Sequence, residues 1–124
     1  MTRIIIAGGR DFNNYNLLKE TMWNIFIDRP TDKSFVEIIS GCANGADKLG
    51  ILYANDYGIN LKKFPADWDK FGKSAGYIRN KEMAKYASEE NGVLIAFWDG
   101  QSKGTRHMID LANEYKLEVH VIKY

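Results

Sequence analysis

A chain of 124 residues with 45% hydrophobic side chains has the size and composition of one globular domain that needs no staples to bury a core. Its 17 Lys and Arg against 16 Asp and Glu leave a net charge of +1, without the basic excess of a general DNA or RNA binder, so no nucleic-acid partner is expected. The single cysteine, Cys42, excludes an internal disulfide and a cysteine-rich zinc site, and no apolar run approaches the roughly 20 residues of a membrane span.

The first strand is Arg3-Ile4-Ile5-Ile6-Ala7, ending at Gly8-Gly9. No basic segment with a long apolar stretch precedes it, so the expectation is a cytoplasmic protein with no membrane partner. Leu18, Met22, Ile25 and Phe26 recur at helical spacing, and Pro30 is read as the stop of that helix. A second strand over residues 35–39 ends at Ser40-Gly41. Ala46, Leu49, Tyr53 and Tyr57 mark the next helix, with Gly58 as its C-terminal cap. Residues 61–64 form a weaker third strand, and residues 66–73 a long connection. Ser74 is the expected N-cap of a helix over residues 75–87. The most apolar strand, residues 92–97, is expected at the centre of the sheet. A polar loop over residues 98–104 leads into a helix striped by Met108, Leu111, Ala112 and Tyr115, and residues 118–122 read as the last strand.

Five strands alternating with four helices predict an α/β fold: a Rossmann-like three-layer α/β/α sandwich with a mainly parallel five-stranded sheet, in one domain over residues 1–124. Right-handed crossovers put the loops after the strands on one edge, where ligands bind at the reversal of strand order. Three of those loops are built for an anion. The first carries Gly8, Gly9, Arg10 and Asp11; the second Ser40, Gly41, Asn44, Gly45 and Asp47; the third Asp99, Gly100, Ser102, Gly104 and Thr105. Glycine lets backbone N–H groups approach phosphate, and a helix N-terminus adds unpaired N–H groups and partial positive charge. The first loop lacks the G-x-G-x-x-G spacing of NAD enzymes, and no G-x-x-x-x-G-K-[ST] is present to hydrolyse ATP. No resident cofactor or metal is implied.

Ala7-Gly8-Gly9-Arg10-Asp11-Phe12, Ser40-Gly41 with Gly45-Ala46-Asp47, Pro65-Ala66-Asp67-Trp68, Ala75-Gly76 with Arg79-Asn80 and Met83, and Gly104-Thr105 with Met108 together resemble the YspA/YpsA-related branch of the SLOG (SMF/DprA–LOG) superfamily. The resemblance runs over nearly the whole chain. It implies a Rossmann-like fold that binds nucleotides or nucleotide-derived molecules, and commonly a homodimer. LOG enzymes of this superfamily cleave the base from a nucleoside monophosphate, using an Arg before the fourth strand and a Glu in P-G-G-x-G-T-x-x-E after it. Arg79 matches the Arg, and Gly104-Thr105 the G-T. Met108 stands at the Glu position, and Trp98-Asp99-Gly100 with an insertion replaces P-G-G. A thioether neither steadies an oxocarbenium ion nor takes a proton, so LOG-type hydrolysis would need Asp47, Asp67 or Asp99 instead.

The expected partner is therefore a phosphate-bearing, nucleotide-derived small molecule, with Arg79 and Asn80 on the wall opposite the glycine loops. Several residues have two readings. Arg79 is either a solvated surface cation or a phosphate ligand. Asp47 either interacts with the dipole of its own helix or accepts from a ribose hydroxyl. Trp68 and Trp98 either stack on a base or fill core and interface. His107 either faces the ligand or lies exposed, and Cys42 reads as a small hydrophobe without a His partner. The alternative class is an N-glycosidase acting on a nucleotide or nucleoside-diphosphate-ribose. A sequestering module for a signalling nucleotide, of a kind that would suit a bacteriophage, is a third.

Overall fold

The computed structural model describes residues 1–29 and 32–124, so Pro30, the expected helix stop, lies outside the described residues. Five strands, β1 (Thr2–Gly8), β2 (Val36–Ser40), β3 (Asn60–Lys63), β4 (Asn91–Trp98) and β5 (Glu118–Lys123), form one sheet in the order β3-β2-β1-β4-β5. Every registered pair is parallel, from Ile5 opposite Ile39 and Leu94 to Leu94 opposite Val119. The helices are α1 (Tyr15–Phe26), α2 (Ala46–Tyr57), α3 (Trp68–Phe71), α4 (Ala75–Ser88) and α5 (Lys103–Glu114).

The alternation of side chains along each strand splits the core into two layers. Ile4, Ile6, Ile38, Val93, Ile95 and Phe97 face the helices α1 and α2, meeting Leu18, Met22 and Ala54. Ile5, Ala7, Ile39, Leu94 and Ala96 face the other way, onto Met83, Ala84 and Ala87 of α4 and Met108, Leu111 and Ala112 of α5. This is the expected three-layer sandwich. Gly58 adopts the left-handed conformation (φ +63) and caps α2 as its position in the sequence suggests.

Several local expectations are corrected. The middle strand is β1, not β4, although β4 is flanked on both sides. Phe35 belongs to a 3₁₀ turn, Lys33–Phe35, and is exposed, so β2 begins one residue later. β3 starts at Asn60; as an exposed edge strand it carries little hydrophobic signal. The connection before α4 holds a fifth helix, α3, whose Asp67 side chain accepts from the Lys70 N–H. A 3₁₀ turn, Gly72–Ser74, then runs directly into α4, with Ala75 N–H donating to the Gly72 carbonyl. Ser74 is itself helical and makes no side-chain cap. Gly104 and Thr105 lie in the first turn of α5 rather than in the loop. No described helix is long and apolar enough to cross a membrane.

The chain leaves β1 toward β2 and β3, then returns to place β4 on the opposite side of β1. The strand order therefore reverses between β1 and β4, and the site lies beyond their carboxyl ends.

Candidate functional site

A cleft of about 530 Å³ opens at the β1/β4 reversal, between the loop after β1, the start of α4 and the first turn of α5. The loop after β1 is fixed by its glycines. Gly8 (φ +156) passes so close to β4 that a Cβ would overlap the Phe97 carbonyl. Gly9 donates its N–H to that carbonyl at 3.0 Å, and its own carbonyl accepts from Phe12 and Ala46, each at 3.2 Å. Phe12 stacks on Phe97 at 4.3 Å, and the Tyr124 hydroxyl donates to Asp11 Oδ1 at 2.5 Å. Burial and the Asp11 carboxylate push the Tyr124 phenol up to about 12, so it remains a donor at neutral pH. Arg10 is left exposed at the rim.

The two helix N-termini that sequence marks as anion sites differ. At α2, the Ala46 N–H is taken by the Gly9 carbonyl, and the first turn carries Asp47. The Asp47 carboxylate is 6% exposed and accepts from the Ala43 N–H at 3.1 Å. Burial raises its pKa to about 6, against the opposing pull of that N–H and of the Arg79 and Arg10 charges. At α5 the first turn has no acid and contains Lys103, and a Cβ on Gly104 would meet open space. Ser102 caps this helix, its Oγ accepting from Thr105 N–H at 3.4 Å. Asp99 Oδ1 accepts from Gln101 and Ser102 N–H, both at 2.8 Å, which holds the turn and keeps the carboxyl below its ordinary range. The start of α5 is therefore the end suited to a phosphate.

Arg79 enters from α4, half-buried. Its guanidinium donates to the Gly41 carbonyl, and its Nε to Asn80 Oδ1 at 3.0 Å. Asn80 is buried and reaches the Gly104 carbonyl at 3.4 Å and His107 Nδ1 at 3.3 Å. It thereby ties Arg79 to the first turn of α5. Burial lowers the His107 pKa, which suits a neutral ring accepting from Asn80. Met108, 1% exposed, lines the cleft where a carboxylate would stand in a LOG enzyme.

Of the residues singled out from sequence, Gly41 and Asn44 line a second, adjoining hollow, which also includes Arg10 and Arg79. Ser40, Gly45, Gly100, Asp67, Trp98 and His107 line neither space, and Cys42 lines only the second; the remaining residues of the three loops, with Arg79 and Asn80, line the cleft. Ser40 is fully buried, donating to the Asp47 carbonyl at 2.9 Å. Gly45 (φ +79) is glycine because a Cβ there would overlap the backbone of Gly9 and Arg10. Gly100 (φ +87) shapes a turn beneath Lys123. Trp68 lies on the cleft wall, whereas Trp98 supports the third loop by donating Nε1–H to the Ser102 carbonyl at 3.0 Å. Sequence reading missed Lys73, Gly76 and Tyr77, which also line the cleft. On α4 the signal was present: positions 76, 77, 80 and 83 follow helical spacing and share one face, whereas Lys73 sits in the preceding 3₁₀ turn. Among the described residues no cluster of His, Cys, Asp and Glu is arranged to hold a metal.

The parallel sheet, its reversal and this cleft define a Rossmann-like α/β domain. Residues 2–71 match the model of YAcAr, the "YspA, cpYpsA-related SLOG family", and the chain belongs to that family, which is associated with nucleotide-derived small molecules. It is also similar to the Gene 61 protein of Mycobacterium phage D29, at 29% identity over 125 residues spanning 96% of this chain and 94% of the relative.

Proposed function

We propose that the chain binds a phosphate-bearing, nucleotide-derived molecule in the β1/β4 cleft and acts as a sensor or sequestering module for a signalling nucleotide. One observation carries this reading: the glycine loop after β1, Arg79 and the acid-free first turn of α5 open onto a single cleft, while the position of the LOG carboxylate holds buried Met108. Phosphate would sit at the α5 start, against the loop after β1, with Arg79 supplying a forked cation. The similarity to a phage protein supports a module carried by a phage. A thermal-shift panel of adenine and guanine nucleotides, cyclic nucleotides and ADP-ribose derivatives tests it. A ligand at about 100 times its Kd should stabilise the fold by about 2.7 kcal/mol. If no member of the panel moves Tm, the nucleotide reading fails.

A second reading, an N-glycosidase, is favoured by Asp47. It is a carboxylate in the cleft whose burial lifts its pKa toward the working pH, the property of a general acid or base. On the binding reading, chromatography detects no free base from AMP above background. Base release that disappears in both Arg79→Ala and Asp47→Asn would establish the enzyme instead.

A further inference from the structure

The second hollow adjoins the cleft, has a volume of about 440 Å³, and shares Arg10, Ala43, Trp68 and Arg79 with it. We propose that the ligand extends through this junction: the site takes a nucleoside diphosphate whose outer phosphate carries a further neutral, hydroxyl-rich group such as a sugar. This inference rests on the nucleotide reading above.

Both spaces fall within the roughly 300–1,000 Å³ of small-molecule sites, so each has room for one arm of such a molecule. The nucleoside belongs in the first, where Trp68 and Tyr77, each about half exposed, offer aromatic faces to a base. At the junction are two guanidinium groups. Arg79 is held by the Gly41 carbonyl and Asn80, and Arg10 is solvated at the rim. Two forked cations where two compartments meet match two linked phosphates better than one. Beyond them the second hollow changes character. Its remaining lining, Gly41, Cys42, Asn44, Pro65 and Ala66, carries neither a Lys, Arg nor a carboxylate. Such a surface gives a third phosphate no counter-charge. The Asn44 amide, with one acceptor and two donors, suits hydroxyl groups.

Cys42 makes the arrangement testable in the wild-type protein. It is the only cysteine, is partly exposed, and lines the second hollow but not the first. Its alkylation by iodoacetamide therefore reports occupancy of that hollow. The rate is measured alone and with AMP, ADP, ADP-ribose, GMP, GDP and GDP-mannose, each near saturation, alongside calorimetric affinities. The sugar-linked diphosphate of one base should bind at least about tenfold tighter than its matching monophosphate, as expected when a second arm adds about 1.4 kcal/mol. It alone should slow alkylation by tenfold or more, since about 100 times Kd leaves little free protein. Binding of monophosphates with no gain from the sugar, or alkylation unaffected by a bound sugar-linked diphosphate, overturns the second arm and leaves the nucleotide reading standing. Absence of binding by all six overturns both.

Discussion

Replacing Asp47 with Asn removes a buried charge while keeping the side chain's shape and an oxygen for the Ala43 N–H. Burial raises the folded-state pKa of Asp47 to about 6 from an ordinary 3.8. Between these values the native protein holds a proton that the unfolded chain has released, so stability falls as pH rises through this window. The penalty is absent below the unfolded pKa and complete above the folded one. About two pKa units correspond to about 3 kcal/mol. Asp47→Asn should therefore match the wild type near pH 4 and exceed it by about 3 kcal/mol at pH 7.5, a gain of about 10 °C in Tm for a domain of this size. Calorimetric or fluorescence melts of both proteins across that range provide the assay. A Tm difference independent of pH, or a variant less stable at pH 7.5, refutes the assignment of a strained carboxylate. Nucleotide affinity should fall in the same variant, because a costly group facing the cleft is the signature of a site shaped for binding rather than for stability.

Arg79→Ala should weaken nucleotide binding by about 10- to 150-fold, the equivalent of a charged hydrogen bond of roughly 1.5–3 kcal/mol, as read by calorimetry. From sequence alone a surface Arg would be expected to affect stability little. Its bonds to Gly41 and Asn80 and its charge near Asp47 instead imply an accompanying loss of about 1–2 kcal/mol, visible in denaturant melts. A homodimer is expected in solution, with Trp23 of α1 and Ile27 at its C-cap, both exposed, among the residues available to cover. Light scattering that returns a monomer at micromolar concentration would count against it.

The strands and the glycine loops were legible because both have local causes. Isoleucine runs feed two-sided strands, and a glycine interrupts a run wherever backbone meets backbone. What sequence did not distinguish was a glycine that admits a ligand from one that admits another part of the chain. Gly45 belongs to the second kind, since the group approaching it is the Gly9–Arg10 backbone. Ser40 looked like a hydroxyl donor to phosphate, yet its donor is spent on the Asp47 carbonyl, a pairing set by how α2 docks. The four-residue α3 was hidden because such a helix depends on its Asp67 cap and on packing more than on periodicity. Asn80, grouped with Arg79 as a ligand contact, also joins α4 to α5, through partners 24 and 27 residues downstream.

The seam between β1 and β4 has a consequence for when the protein becomes competent to bind. Its register joins Thr2 to Asn91 and Gly8 to Phe97, across most of the chain. The first half, through β3, can pair β1 with β2 and β2 with β3 among nearer neighbours, but it contains one bank of the cleft only. Arg79, Asn80 and the whole first turn of α5 arrive afterwards. An emerging polypeptide is thus blind to its ligand until this longest closure is made, and such non-local pairing is the slow step in folding parallel sheets. On the binding reading, a ligand would recognise only molecules in which this seam has closed, and would act as a clasp on it and not as a template for the first pairing.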